Sequence, residues 1–428
     1  MLERESVLFD RGEHLFRLDP SITYFNASYG VVPIAVQDAH HALLRECEAN
    51  PYKWSTDRYL GMVADVRRRL AKMLMCASYD LVMVDNSSSA ANSIFASIDF
   101  GVTEKPAVVV LETAYGLIMN LATKYARLYD AKVVHVPVNP DKLGDVPGDM
   151  GYILDTLRHD GYRVCLACVD HISSCPALLM PVEAIAQECK KRHVDVLVDG
   201  AHVLGQLSVD ISRMAQAGVT YWFADVHKWF FSPKGSAVMW VRHDKQPSVN
   251  PVIDCTSSTP NRYSMMKRDR GEEDVHPCTS FERRFSYLGT KDYTPWIAVG
   301  AAIDFVEAHG GYDSIVDRNQ KIARFAYTSL TDAISSECCD GVHDYKKENV
   351  NIETSMCNIH LPFVKNETDA TRLVMHLENR KIYTVVFRYR RSFWMRLCVQ
   401  LFINVVHVVR LKETLVEYIR QHTSKVLS

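Results

Sequence analysis

Residues able to do chemistry follow each of five apolar runs in the first half of the chain. After LVMVD (81–85) come Asn86 and Ser87-Ser88-Ser89, then a helical pattern. Hydroxyls and free N–H groups at a helix start form a ready site for a phosphate. After AVVVLE (107–112) comes Thr113-Ala114-Tyr115-Gly116, which places an aromatic ring where it could stack on another. VCLACVD (164–170) is followed by His171 and by Ser173-Ser174. VDVLV (194–198) is followed by Asp199-Gly200-Ala201-His202, and TYWFADV (220–226) by His227-Lys228-Trp229. Taken singly, each reads first as a helix cap or a packed side chain. Taken as an ordered set, they offer a phosphate cradle, a stacking ring, a carboxylate and an amine. Pyridoxal 5′-phosphate needs those four. Its phosphate wants a helix N-terminus, its ring a stacking partner, its pyridine nitrogen an anion, and its aldehyde a lysine.

The elements that must position these residues follow from the pattern around them. Continuous Val- and Leu-rich runs alternate with helical stretches such as VEAIAQECKKRH (182–193). That alternation predicts an α/β fold with a mostly parallel sheet covered on both faces. In such sheets ligands bind at the carboxyl ends of the strands, where the residues above cluster. We expect an N-terminal segment (1–30), a large α/β domain (31–295) and an interdomain helix with a smaller C-terminal α+β domain (296–428). A long loop rich in Pro, Ser and Thr is expected over 244–280.

Composition excludes several other classes. The chain of 428 residues carries 49 Lys+Arg against 51 Asp+Glu, which removes the basic footprint of a general nucleic-acid binder. No apolar run is long enough for a transmembrane helix, and the first residues lack the apolar core of a signal peptide. With 12 scattered cysteines, the expectation is a reduced, cytoplasmic protein that engages neither membrane nor nucleic acid. The Cys165-x-x-Cys168 spacing lies inside an apolar run and reads as buried strand thiols. A metal site on Asp199 and His202 lacks a third ligand nearby, so no metal is expected.

The segments YFNASYGVVP (24–33), NSSSAAN (86–92), DHISS (170–174), VDGAHVLGQL (198–207), HKWFFSPKG (227–235), YLGTKDYTPW (287–296) and MRLCVQLF (395–402) carry a resemblance. Over roughly 20–415 the chain resembles the class V aminotransferase family of fold-type I pyridoxal-phosphate enzymes. Within it, the chain is similar to the isopenicillin N epimerase-like branch, which includes hercynylcysteine sulfoxide lyases and cysteine desulfhydrases. The resemblance implies roles. Lys228 matches the Schiff-base lysine that also moves the α-proton, and Asp199 the partner of the pyridinium. Ala201 and Tyr115 match the two ring faces, and His202 and Ser174 the surroundings of the ring hydroxyl. Ser87, Ser88 and His227 match phosphate contacts. Thr290, with Gly289, matches a segment reaching the neighbouring cofactor in a homodimer. Arg396 matches the fork for the substrate α-carboxylate, and Asn26 and Gly30 the segment closing over the substrate. Asp225 departs from the pattern, because similar enzymes carry Asn or Ser there near the phosphate. An anion at that place must be turned away, protonated or paired, with His227 the expected partner.

The expected reaction starts with α-proton removal from an amino acid. A mobile persulfide-carrying cysteine is absent from 358–395, where similar desulfurases would place it. The leading expectation is a lyase that breaks a carbon–sulfur bond of a cysteine conjugate or sulfoxide, giving pyruvate and ammonia. Epimerisation, transamination, desulfuration and a cofactor-binding pseudoenzyme stay open.

Overall fold

The computed structural model describes residues 12–101, 105–253, 255, 279–338 and 353–423. Most of the expected 244–280 loop, part of the N-terminal segment and the last five residues lie outside the described residues.

The chain enters through a two-residue strand, β1 (Thr23–Tyr24). Seven strands then build the main sheet: β2 (Leu81–Val84), β3 (Lys105–Leu111), β4 (Lys132–Val136), β5 (Tyr162–Asp170), β6 (Val196–Asp199), β7 (Val219–Asp225) and β8 (Ala237–Val241). Their order is β2-β8-β7-β6-β5-β3-β4. Neighbours are parallel except at β8, which runs antiparallel to both β7 and β2. Hence β2 through β7 all point the same way, and their carboxyl ends line one edge. The period of two is visible in the core. Val82, Val84, Val108 and Val110 pack on one face, against Ile94, Phe95 and Leu121. Leu81, Met83, Val109 and Leu111 pack on the other. Both faces are buried, as a sheet of continuous apolar strands requires.

Helices α1 (Ile34–Ala49) and α2 (Tyr59–Met73) precede the sheet. Helix α3 (Ser87–Ala96) leaves β2 and α4 (Gly116–Tyr129) leaves β3. Helix α5 (Val146–His159) and α6 (Val182–Lys191) flank β5, and α7 (Ile211–Ala217) leads into β7. A single turn, α8 (Val226–Trp229), follows β7 directly. Beyond α9 (Ser280–Ser286), α10 (Thr294–Ala308) packs on α1 and α2, on the side of the large sheet. The long α11 (Gly311–Glu337) leads into the C-terminal part.

That part holds β9 (Met356–His360), helix α12 (Glu367–Asn379), β10 (Ile382–Tyr383), β11 (Val385–Tyr389) and β12 (Ser392–Cys398). Strands β11, β12 and β9 form an antiparallel sheet with β12 in the middle. Helix α13 (Val405–Thr423) packs on α11. The N-terminal segment joins this smaller domain: β1 pairs with β10 in parallel, and Cys398 N–H donates to Phe25 O at 3.0 Å. It then crosses to the large domain at Gly30. There φ is +63°, and a Cβ would lie 1.7 Å from the carbonyl oxygen of His227, so only glycine fits.

Candidate active site

The carboxyl ends of the parallel strands bring Asp170, Asp199, Asp225 and Lys228 to one edge of the sheet. Asp170 and Asp199 are register partners at the ends of β5 and β6. Asp199 is buried and accepts the Ala201 N–H at 2.9 Å. Asp170 accepts from the Thr113 hydroxyl at 3.0 Å and from the Tyr115 backbone N–H. Burial, and the charge of the neighbouring Asp199, push Asp170 up to about 7. Burial likewise pushes Asp199 up to about 6, although the Ala201 N–H and the Lys228 ammonium pull it down. The Asp170 hydrogen bond thus fixes the backbone at Tyr115, a residue that is 55% exposed.

Lys228 sits on the one-turn helix α8. Its Nζ donates to Asp225 Oδ2 at 2.8 Å. The other oxygen of Asp225 accepts the Ser87 N–H at 2.7 Å. The expected partner of Asp225, His227, lies farther off at 3.9 Å, and its Nδ1 donates instead to Ser236 O at 2.7 Å. Burial would raise Asp225, but the Lys228 ammonium and the other partners outweigh it and hold the carboxyl below its usual range. The anion is therefore paired, chiefly with Lys228 and a helix N–H.

At the start of α3, Asn86 caps the helix by accepting the Ser89 N–H at 2.8 Å. The Ser87 hydroxyl is buried and has no partner in the protein, while Ser88 is exposed. An orphaned buried hydroxyl beside a helix N-terminus fits a phosphate. His202 is buried, and its Nδ1 accepts from Trp229 Nε1 at 3.1 Å. Burial and nearby cations hold this imidazole well below its ordinary range, so it is neutral and carries its proton on Nε2. At the end of β5, burial pushes His171 down to about 4, and its Nδ1 finds no partner.

Arg396 lies on β12 and is 1% exposed. Its NH1 donates to Ser174 O at 3.1 Å and Ser174 Oγ at 2.8 Å, and reaches Cys175 Sγ at 3.7 Å. NH2 donates to Asn26 Oδ1 at 3.2 Å and Ser28 Oγ at 3.1 Å. Nε is buried without a partner. No carboxylate pairs with this guanidinium among the described residues. A buried cation held only by neutral acceptors is a site for an anionic ligand. Ser174 is therefore part of the guanidinium's surroundings. Thr290 is apart from this cluster, its hydroxyl 3.2 Å from the Tyr287 hydroxyl on an exposed turn.

Several contributors carry no spacing signal. Asp170 stands in the DHISS segment, but its hold on Thr113 and Tyr115 is a long-range contact. Trp229 is buried, and its indole N–H sets the tautomer of His202. Ser28 and Cys175 reach Arg396 only through the fold. The buried Cys165 and Cys168 stay inside β5.

The profile of the family described as Aminotransferase class-V matches residues 22–381. The chain belongs to that family. It is 26% identical to the L-cysteine desulfhydrase-like protein lolT1 of Epichloe uncinata, over 91% of each chain. It is 25% identical to the hercynylcysteine sulfoxide lyase of Schizosaccharomyces pombe, over 73% of this chain and 76% of that one. Among solved structures, C-DES with glycine covalently linked to its PLP cofactor superposes with a TM-score of 0.77 at 18% identity. That match covers 95% of this chain and 99% of the other, and it shows the same fold.

Proposed function

We propose that this protein is a pyridoxal-phosphate-dependent lyase that breaks the carbon–sulfur bond of a cysteine derivative. The observation that carries the reading is one constellation: the amine of Lys228, the buried carboxylate of Asp199 and the unpaired buried guanidinium of Arg396 converge on one edge of the sheet. The reaction class follows from membership in the class V aminotransferase family and from relatives named for cysteine desulfhydrase and sulfoxide lyase activity.

The cofactor is pyridoxal 5′-phosphate, which supplies an electron sink for the bonds of the amino-acid α-carbon. Ser87, Ser88 and His227 would hold the phosphate end, Asp199 would serve the pyridine nitrogen, Ala201 and Tyr115 would flank the ring, and the neutral His202 would offer its Nε2–H as a donor beside them. Arg396 forks the substrate carboxylate, with Asn26 and Ser28 beside it and Gly30 bringing their segment against the large domain. Lys228 takes the α-proton at Nζ. The sulfur then leaves from the β-carbon with its bonding pair, and hydrolysis yields pyruvate and ammonia. The active form is a homodimer in which Gly289-Thr290 reaches the neighbouring site. No helix among the described residues is long and apolar enough to cross a membrane, and we assign the enzyme to the cytoplasm.

Borohydride reduction of the loaded enzyme followed by peptide mapping tests the site. Cofactor mass on the Lys228 peptide is expected, and its loss in Lys228→Ala. Labelling of another lysine would overturn the assignment.

A further inference from the structure

Asp225 occupies the start of a helix where an anion would bind. Its Oδ1 accepts the Ser87 N–H, the first of α3, at 2.7 Å. The Ser89 N–H is taken by the Asn86 side chain at 2.8 Å. Two of the three leading N–H groups are therefore spent, one of them on a full negative charge. The same carboxylate holds the Lys228 ammonium at 2.8 Å through its second oxygen. His227 Nε2 stands 3.9 Å away. Asp199 feels Asp225 as a like charge. A phosphate brought to the Ser87 hydroxyl must therefore approach a buried carboxylate, and like charges at such range repel strongly in a site screened from water.

We propose that Asp225 is a built-in competitor of the cofactor phosphate: it satisfies the phosphate's helix terminus and ties down the Lys228 amine until cofactor arrives, and so weakens phosphate-dependent retention. This rests on the reading of the site as one for a phosphate-bearing aldehyde. It goes further by giving one residue a sign: Asp225 opposes the phosphate instead of holding it. The carboxylate's second task, orienting Lys228, explains how it can be kept despite that cost.

The test compares two ligands that differ only in the phosphate. Binding of pyridoxal 5′-phosphate and of pyridoxal to the cofactor-stripped full chain is measured by quenching of protein fluorescence. Asp225→Asn keeps an acceptor for the Ser87 N–H, and Asp225→Ser serves as a second variant, with circular dichroism confirming the fold of each. Both variants are expected to bind the phosphorylated form at least about tenfold more tightly than wild type. Pyridoxal affinity should move less than about threefold, the part owed to a freed Lys228. An equal gain for both ligands would mean that Asp225 acts through Lys228 alone and would overturn the proposal. Weaker binding of the phosphorylated form would overturn it too, by making Asp225 a supporter of the phosphate. If the wild type shows no preference for the phosphorylated ligand and neither binds saturably, the cofactor reading itself fails, a result distinct from both.

Discussion

Replacing Arg396 by glutamine should abolish discrimination between a substrate carboxylate and its uncharged amide. The guanidinium is 1% exposed, and among the described residues it meets Ser174, Asn26, Ser28 and the thiols of Cys175 and Cys398, with no carboxylate against it. Its Nε has no partner at all. The substrate carboxylate would be its one counter-charge, met in a dry environment. Losing one member of such a desolvated, hydrogen-bonded pair costs about 3–4 kcal/mol, equivalent to roughly 10²–10³ in kcat/KM. The assay compares kcat/KM for a reactive L-cysteine conjugate and its carboxamide in wild type and Arg396→Gln. Wild type should prefer the acid by that factor. The variant should process the two within about fivefold of each other, mainly through a raised KM for the acid. The cofactor absorbance should be unchanged, because Arg396 is placed on the substrate. A variant that still prefers the acid by a hundredfold would refute the reasoning, for the carboxylate would then be held elsewhere.

Other outcomes follow from individual contacts. In Gly30→Ala a Cβ meets the His227 carbonyl at 1.7 Å with φ at +63°. Backbone strain alone costs about 1–2 kcal/mol, and displacement of Asn26 and Ser28 should raise KM, both seen by thermal melting and steady-state kinetics. The folded-state value of Asp170, raised by burial to about 7, makes its contribution to stability fall as pH rises toward that value. Asp170→Asn should therefore gain about 2–3 kcal/mol over the cofactor-free wild type between about pH 5 and pH 8, measured by urea unfolding; a pH-independent difference would show that the carboxyl ionises normally. Trp229→Phe removes the donor to His202 Nδ1. Nitrogen-15 shifts of the imidazole should change from a single Nε2–H tautomer to a mixture, with a rate loss of roughly tenfold.

The parts of this site that lie next to one another in the chain were legible in advance. Strand ends followed by Asn86-Ser87, Asp199 and Lys228 declare themselves, because apolar strands must stop where polar residues begin and parallel strands stop on one edge. Asp225 was legible as an oddity, and its pairing was expected with His227. The fold gave the nearer places to Lys228 and to Ser87 N–H, the latter 138 residues away in sequence. Trp229, Ser28 and Cys175 were not legible as site residues. Their partners are set by how β12, the N-terminal segment and the β5 end meet, and no local spacing encodes that meeting. The same holds for the contact of Ser174 with Arg396, made across 222 residues. The helix Thr294–Ala308, expected as an interdomain helix, packs on α1 and α2 and also touches α11, because its apolar residues nearly encircle it and need cover on several sides.

The central claim is the carbon–sulfur bond cleavage that follows α-proton removal. Its most direct test is turnover in deuterated water, with a panel of L-cysteine conjugates, their sulfoxides and ordinary L-amino acids, read by mass spectrometry. The account expects pyruvate and ammonia from at least one sulfur substrate, together with the released thiol, persulfide or sulfenate. Recovery of intact amino acid carrying deuterium at the α-carbon, with no pyruvate from any substrate, would contradict it and would make the enzyme an epimerase built on the same site.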